Sequence, residues 1–355
     1  NILVYNLNII RNNSIMSDKI LILKNDRGGD LFTSLLTISS LKNKYENITI
    51  YLSELNIGFD FLFKNFKIKK ISYNLSIYDK FKILKDIIIN KYKEIYILSP
   101  KSYYFYLPFF FKNIKFYAIV YNGSKRLRPN KSLRKFLYKY QTVYRNKLNE
   151  FSYRELQAKL LEKDINFDYN FKNLTIPEVN NNFIDVIPSD YIFFQFRYKF
   201  FDEINWTNQN IKDFIIFLSN KYKYVLFCSD IESNKRSDYY SKFFIKNYST
   251  IDLNNNSKTV LNNNNIFYLK NLNSLDLFFI IKNSSISLAK DGVVSHIAYF
   301  HNKKCHNLFN FKISNLQDYK HQKISYSEWY KGMNLKFSIL NENVNKAIKK
   351  INRHI

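Results

Sequence analysis

Residues 19–32 read KILILKNDRGGDLF: an apolar run, a turn holding two adjacent glycines, and a second apolar run. Ile20 to Leu23 carry no polar side chain, the pattern of a strand buried on both faces of a parallel sheet. Leu31, Leu35, Ile38 and Leu41 recur near helical spacing, so the chain is expected to leave the turn as a helix over 31–45. The chain has six glycines in all, and Gly28 and Gly29 stand side by side here. Strand, glycine turn and helix in this order open a βαβ unit, whose strand-end turns are where such folds take ligands.

The same alternation runs outward from this stretch. Strands are expected at 48–53, 67–73, 94–99 and 115–120, with helices near 57–65, 79–92 and 149–163. Pro177 and Pro188 then fall among asparagines, and 166–188 reads as a linker. The alternation restarts with strands at 191–196, 224–229, 265–269, 285–290 and 305–309, and with helices at 207–221, 233–247, 275–284 and 293–301. The expected fold class is α/β: two doubly wound parallel-sheet domains, Rossmann-like, facing a cleft. The boundaries are an unstructured extension over 1–18, a first domain over 19–165, the linker, a second domain over 189–334, and a C-terminal helix over 335–355. Met16 directly precedes the first strand and reads as a natural start. This plan directs attention to the strand-end turns at 24–30, 100–103, 121–128, 196–206, 229–233 and 290–296.

Composition narrows the function classes. A length of 355 residues is too great for one ordinary core and agrees with two. A net charge of +26 admits an anionic partner, nucleic acid or membrane, or lysine spread over every solvated face. Between 101 and 147 there is no acid, while Lys125, Arg126, Arg128, Lys131, Arg134, Lys135, Lys139, Arg145 and Lys147 cluster behind a run of aromatics. That segment reads as a face for a phosphorylated glycolipid and an anionic leaflet, or as a solvated lysine-rich helix. Two cysteines, Cys228 and Cys305, make no disulfide framework, so a reducing compartment is expected. No apolar run is long enough to span a bilayer, so no transmembrane helix is expected, and the first fifteen residues, one short apolar run without basic residues ahead of it, do not fit the pattern of a signal peptide. Neither a zinc-type histidine spacing nor an Asp-x-Asp pair occurs, so no metal site is expected.

Two turns carry residues able to do chemistry. In Asp26-Arg27-Gly28-Gly29-Asp30, glycine lets a ligand come close to the backbone, and Asp30 is either a helix cap or a carboxylate free to accept a hydroxyl proton. The stretch is neither G-x-G-x-x-G nor a P-loop. In Lys290-Asp291-Gly292-Val293-Val294-Ser295-His296, the free amides at a helix start suit a diphosphate. Gly292 permits close approach there, and His296 either donates to phosphate or holds the loop.

Taken in order, these stretches resemble the bacterial lipopolysaccharide heptosyltransferase family, glycosyltransferase family 9. ILILKNDRGGDLFTSLLTISSLKNKY is similar to its amino end, SISLAKDGVVSHIAYFHNKKCHNLF to its donor motif, and IFFQFR with Trp206-Thr207 and VLFCSDIE to the strands between. Val293 and Thr207 depart from the family's glycine and proline. The resemblance implies a GT-B fold and inverting, metal-independent transfer of a sugar, heptose or similar, to lipopolysaccharide core or a related glycan. It implies no cofactor beyond the nucleotide-diphosphate sugar as co-substrate. Asp30 is then the catalytic base, and Asp291, Gly292, Val293, Ser295 and His296 form the donor loop. Arg197 or Lys199 offsets the leaving diphosphate, and Glu232 meets a ribose hydroxyl or is a solvated loop acid. Gly28 and Gly29 let the acceptor approach, with Arg126 and Arg128 on the acceptor side. A monomer in the cytoplasm, peripheral on the inner membrane and without nucleic acid, completes the expectation. The alternatives are a basic nucleic-acid-binding protein, which lacks any RNP, KH, zinc-finger or helix-turn-helix signature, and a GT-B-like protein that binds glycan without catalysis.

Overall fold

The computed structural model describes residues 18–122, 131–144, 149–178, 186–229, 235–261, 265–290, 292–309, 335–339 and 343–353. The chain divides into two units, one up to Ile176 and one from Pro177 onward. The extension 1–17 and the basic residues 123–130 and 145–148 lie outside the described residues.

The first unit is built around β1 (Lys19–Lys24), whose Ile20, Leu21, Ile22 and Leu23 are fully buried. With β2 (Asn47–Ser53), β3 (Lys67–Ile71), β4 (Glu94–Ile97), β5 (Lys115–Asn122) and β6 (Lys139–Tyr144) it forms one sheet in the order β3-β2-β1-β4-β5-β6, every pair parallel. The order reverses between β1 and β4, which places a crevice at their carboxyl ends. The helix Ile77–Asn90 packs Ile83 and Ile87 against Leu21, Leu23, Ile95 and Ile97. Its start is fixed by Ser76, whose hydroxyl accepts from the Asp79 amide while the Asp79 carboxylate accepts from the Ser76 amide.

Three expectations for this unit change. The helix expected over 31–45 is two, Gly28–Thr33 and Leu35–Leu41, because the Thr33 hydroxyl bonds the Asp30 carbonyl at 2.6 Å and the Ser34 amide turns to Leu31 O. The stretch 139–144, read within a basic segment, is the edge strand β6, most of it half-exposed, where lysine and tyrosine suit a partly solvated face. Residues 166–176 belong to the first unit: Asp168 accepts from the Ser39 hydroxyl, and its amide donates to Ser40 Oγ at 2.9 Å.

The second unit holds β7 (Tyr191–Gln195), β8 (Tyr224–Cys228), β9 (Ser249–Asp252), β10 (Ser257–Thr259), β11 (Ile266–Lys270), β12 (Ile286–Lys290), β13 (Cys305–Phe309) and β14 (Leu335–Ile339). Their order is β10-β9-β11-β8-β7-β12-β13-β14, parallel except for β9 with β10. Its core is aromatic, with Phe196 stacked on Phe201 at 4.9 Å and edge-on to Phe244 at 5.0 Å. The turn 196–206 therefore contains a helix, Tyr198–Glu203, which buries Phe200 and Phe201. The tail expected to be helical throughout begins as β14, whose sequence LKFSI alternates with period two, and among its described residues the helix is Val344–Asn352. Among the described residues no helix is long and apolar enough to cross a membrane.

Candidate functional site

In the first unit the reversal point gathers the residues after β1 and those after β4. The amides of Leu98 and Ser99 both donate to Leu23 O, so the two strand ends stay together. Lys24, the last residue of β1, is fully buried; its Nζ donates to Asp26 Oδ2 at 2.7 Å and to Leu98 O at 3.4 Å. Asn25 Nδ2 donates to Ser72 O and Tyr73 O, and its Oδ1 accepts from the Tyr104 hydroxyl at 2.9 Å. Ser53 Oγ and Asn56 Nδ2 hold the carbonyls of Asp26 and Lys24. The turn is thus fixed by four surrounding segments before any ligand arrives.

Asp30 is not the cap of the helix that follows. Arg27 occupies that position in an extended conformation, Gly28 and Gly29 are the first helical residues, and Asp30 is the third. The backbone of Arg27, one turn back, favours the charged form of its carboxylate. Burial, and next the negative charge of Asp26, raise the Asp30 carboxyl to about 6, against the opposing pull of Lys24 and Arg27. Lys101, after β4, sits 3.8 Å from the centroid of the Tyr73 ring. Burial lowers its amine, while Asp26 and Asp30 work against that shift. The arrangement is a carboxylate that takes and gives a proton near neutrality, surrounded by Lys24, Arg27 and Lys101. Gly28 and Gly29 keep side chains off the first helical turn beside it.

In the second unit the reversal point lies between β7 and β12. Arg197 follows β7 and caps the helix Tyr198–Glu203; Gly292 follows β12 and caps the helix Val293–Phe300. Gly292 has φ +144°, a conformation that side chains disfavour, and a methyl group there would lie 3.7 Å from Arg197 Nη1. The two loops therefore meet, with the guanidinium over the Gly292 backbone. Val293 is the first helical residue and half-buried. The Ser295 hydroxyl is fully buried and donates to Asn307 Oδ1 on β13 at 2.6 Å, locking helix to sheet. His296 is buried, one turn into the helix. Lys199 is exposed, 5.7 Å from the Tyr198 ring centroid. Asp291, Glu232, Arg126 and Arg128 lie outside the described residues. Among the described residues no group of three His, Cys, Asp or Glu could hold a metal.

Lys24 and Lys101 were not singled out individually from the sequence, although both stand in strand-end turns to which the plan points, 24–30 and 100–103. Residue type alone did not set them apart from the many other lysines.

No protein-family model matches the sequence, and no match was found among curated proteins. Solved structures do match. ADP-heptose lipopolysaccharide heptosyltransferase II of E. coli is 11% identical over 94% of this chain and 98% of its own, with a TM-score of 0.57. A glycosyltransferase of family 9 from Veillonella parvula is 11% identical over 95% of this chain and 90% of its own, with a TM-score of 0.59. UDP-GlcNAc 2-epimerase of Methanocaldococcus jannaschii is 16% identical over 94% of this chain and 92% of its own, at 0.57. The chain has the α/β GT-B fold that these heptosyltransferases and epimerases share.

Proposed function

We propose that this protein is an inverting glycosyltransferase with Asp30 as its base. The observation that supports this best is the Asp30 carboxyl, raised to about 6 and held at the reversal point of the first sheet. In this reading Asp30 removes the proton from an acceptor hydroxyl as its oxygen attacks the anomeric carbon of a nucleotide-diphosphate sugar. The bond from that carbon to the phosphate oxygen breaks, the nucleoside diphosphate leaves with the electron pair, and one-step attack inverts the centre. Arg197 and the free amides of the helix starting at Val293 offset the charge that develops, a task that asks for no metal. The resemblance of the motifs in order, together with the shared fold, favours a heptose-like donor and an acceptor of the lipopolysaccharide-core type.

A panel of nucleotide-diphosphate sugars, each incubated with a core glycolipid, tests this reading. The expected result is transfer from one donor, with inversion at the anomeric carbon. Conversion of UDP-GlcNAc to its epimer without any acceptor, and no transfer from any donor, would overturn it.

A further inference from the structure

The candidate site of the first unit follows the carboxyl ends of β1 and β4. At the opposite end of the same sheet, where β4, β5 and β6 begin, lies a cavity of about 790 Å³. Lys44 and Tyr45, after the helix Leu35–Leu41, and residues 162–164 bound it from the side. Every lining residue belongs to the first unit. The register decides which side chains meet there. Glu94 pairs with Lys115, Tyr96 with Tyr117, and Tyr117 with Lys139, so all five lie on one face of the sheet. The other face carries Ile95, Ile97, Phe116 and Ala118 into the core.

Opposite charges line this cavity, yet most of them do not pair. Glu94 is 2% exposed, and its Oε2 accepts from the Tyr96 hydroxyl at 2.9 Å. Glu162 Oε1 accepts from the Tyr117 hydroxyl at 2.7 Å. Tyrosine thus holds two carboxylates that lysine would otherwise engage. Among five lining lysines, Lys44 is paired with Asp164 at 2.7 Å and Lys93 with Asp18 at 2.6 Å. Lys115 lies 4.7 Å from the centroid of the Tyr138 ring, and Lys139 donates to Leu161 O at 2.6 Å. Lys115, Lys139 and Lys163 make no ion pair among the described residues. A surface lysine marks nothing in a chain so rich in them. Three from different elements, facing one concavity without carboxylate partners, concentrate positive potential there.

We propose that this cavity binds a small organic phosphate, with its phosphate on Lys115, Lys139 and Lys163 and its ring against Tyr138. The cavity has the size of a small-molecule site, most of which inorganic phosphate would leave unfilled. Tyr138 is 56% exposed and offers a ring to a sugar or a base. Glu94 and Glu162 accept hydrogen bonds, which suits hydroxyl groups on the same molecule. The site is separate from the turn that carries Asp30 and from the loops of Arg197 and Gly292, so the inference stands apart from the transferase reading.

Acetylation of the full chain by N-hydroxysuccinimidyl acetate, mapped by mass spectrometry, tests it with glucose 1-phosphate, AMP and inorganic phosphate as probes. One of the two esters is expected to protect Lys115 and Lys163, at a concentration at least about tenfold below that needed with inorganic phosphate. The Arg197→Gln variant, altered in the second unit, should keep that protection. In the Arg197→Gln background, adding Lys115→Gln and Lys163→Gln removes no ion pair among the described residues, so the melting temperature should hold while calorimetry shows at least about a tenfold loss of ester affinity. Tyr138→Ser should remove the advantage of the ester over inorganic phosphate. Failure of both esters to protect these lysines would overturn the proposal. So would protection that disappears in Arg197→Gln, which places the ester in the second unit, or equal ester affinity with and without the two lysines.

Discussion

At the scale of single residues, Asp30 carries the account. A base whose carboxyl sits near 6 gives a kcat/KM that rises with pH through about 6 and then levels. The same shift has a stability consequence of opposite sense. The folded-state value lies above the ordinary carboxylate value, so the unfolded chain releases this proton first, and stability falls as pH rises from about 4 to about 6. Asp30→Asn should therefore melt at or above the wild-type temperature at pH 8, with the gap narrowing toward pH 4. A lower melting temperature at pH 8 would return Asp30 to a structural role at the helix start. Lys24 has the reverse character. Replacing it by Met leaves Asp26 without its ion-pair partner, and Asp26 Oδ1 already has no hydrogen bond. A loss of about 3–5 kcal/mol in denaturant unfolding is expected, and the Asp30 limb should move to higher pH because an opposing positive charge is gone. The motif made Asp30 legible in the sequence. It did not reveal that Arg27 takes the cap position, since arginine has no acceptor with which to cap and the extended backbone alone puts it there.

At the scale of elements, the second unit makes the sharper test. Gly292 holds a backbone conformation that other residues adopt only under strain, and the space around it is ordinary. Gly292→Ala should therefore cost about 1–3 kcal/mol of stability from backbone strain rather than from a clash with Arg197. Ser295→Ala should cost about 1–2 kcal/mol by removing a buried hydrogen bond to Asn307, while the folded fraction keeps its affinity for the donor in a calorimetric titration. A large drop in donor affinity with stability intact would restore Ser295 to the donor loop. Most strands of both sheets could be read from continuous apolar runs, because a strand buried on both faces leaves that signature. What escaped was at the margins. β6 is a half-exposed edge strand, β9 and β10 are short, and β14 lies beside a helix whose start only Asn343 marks, by capping it. Thr207 shows how local chemistry substitutes for a familiar residue: it caps the helix Asn208–Ser219 through the Asn210 amide at 3.2 Å.

At the scale of the molecule, the sheet orders explain why so little sequence identity is needed. Both units keep a central strand pair at which the order reverses, and ligand loops follow from that topology rather than from particular side chains. That is why identities of 9–16% coexist with matches over 94–95% of the chain. It is also why the same fold serves transferases and epimerases, so function must be argued from the turn at 24–30. The measurement closest to the central claim is sugar transfer by wild type and Asp30→Asn across pH 5 to 8, with nucleotide-sugar binding followed in parallel. The account predicts a wild-type rate that rises through pH about 6, and a variant about 10²–10⁴-fold slower, flat with pH and unchanged in donor affinity. A folded variant that transfers sugar at the wild-type rate, with the same pH dependence, would contradict it.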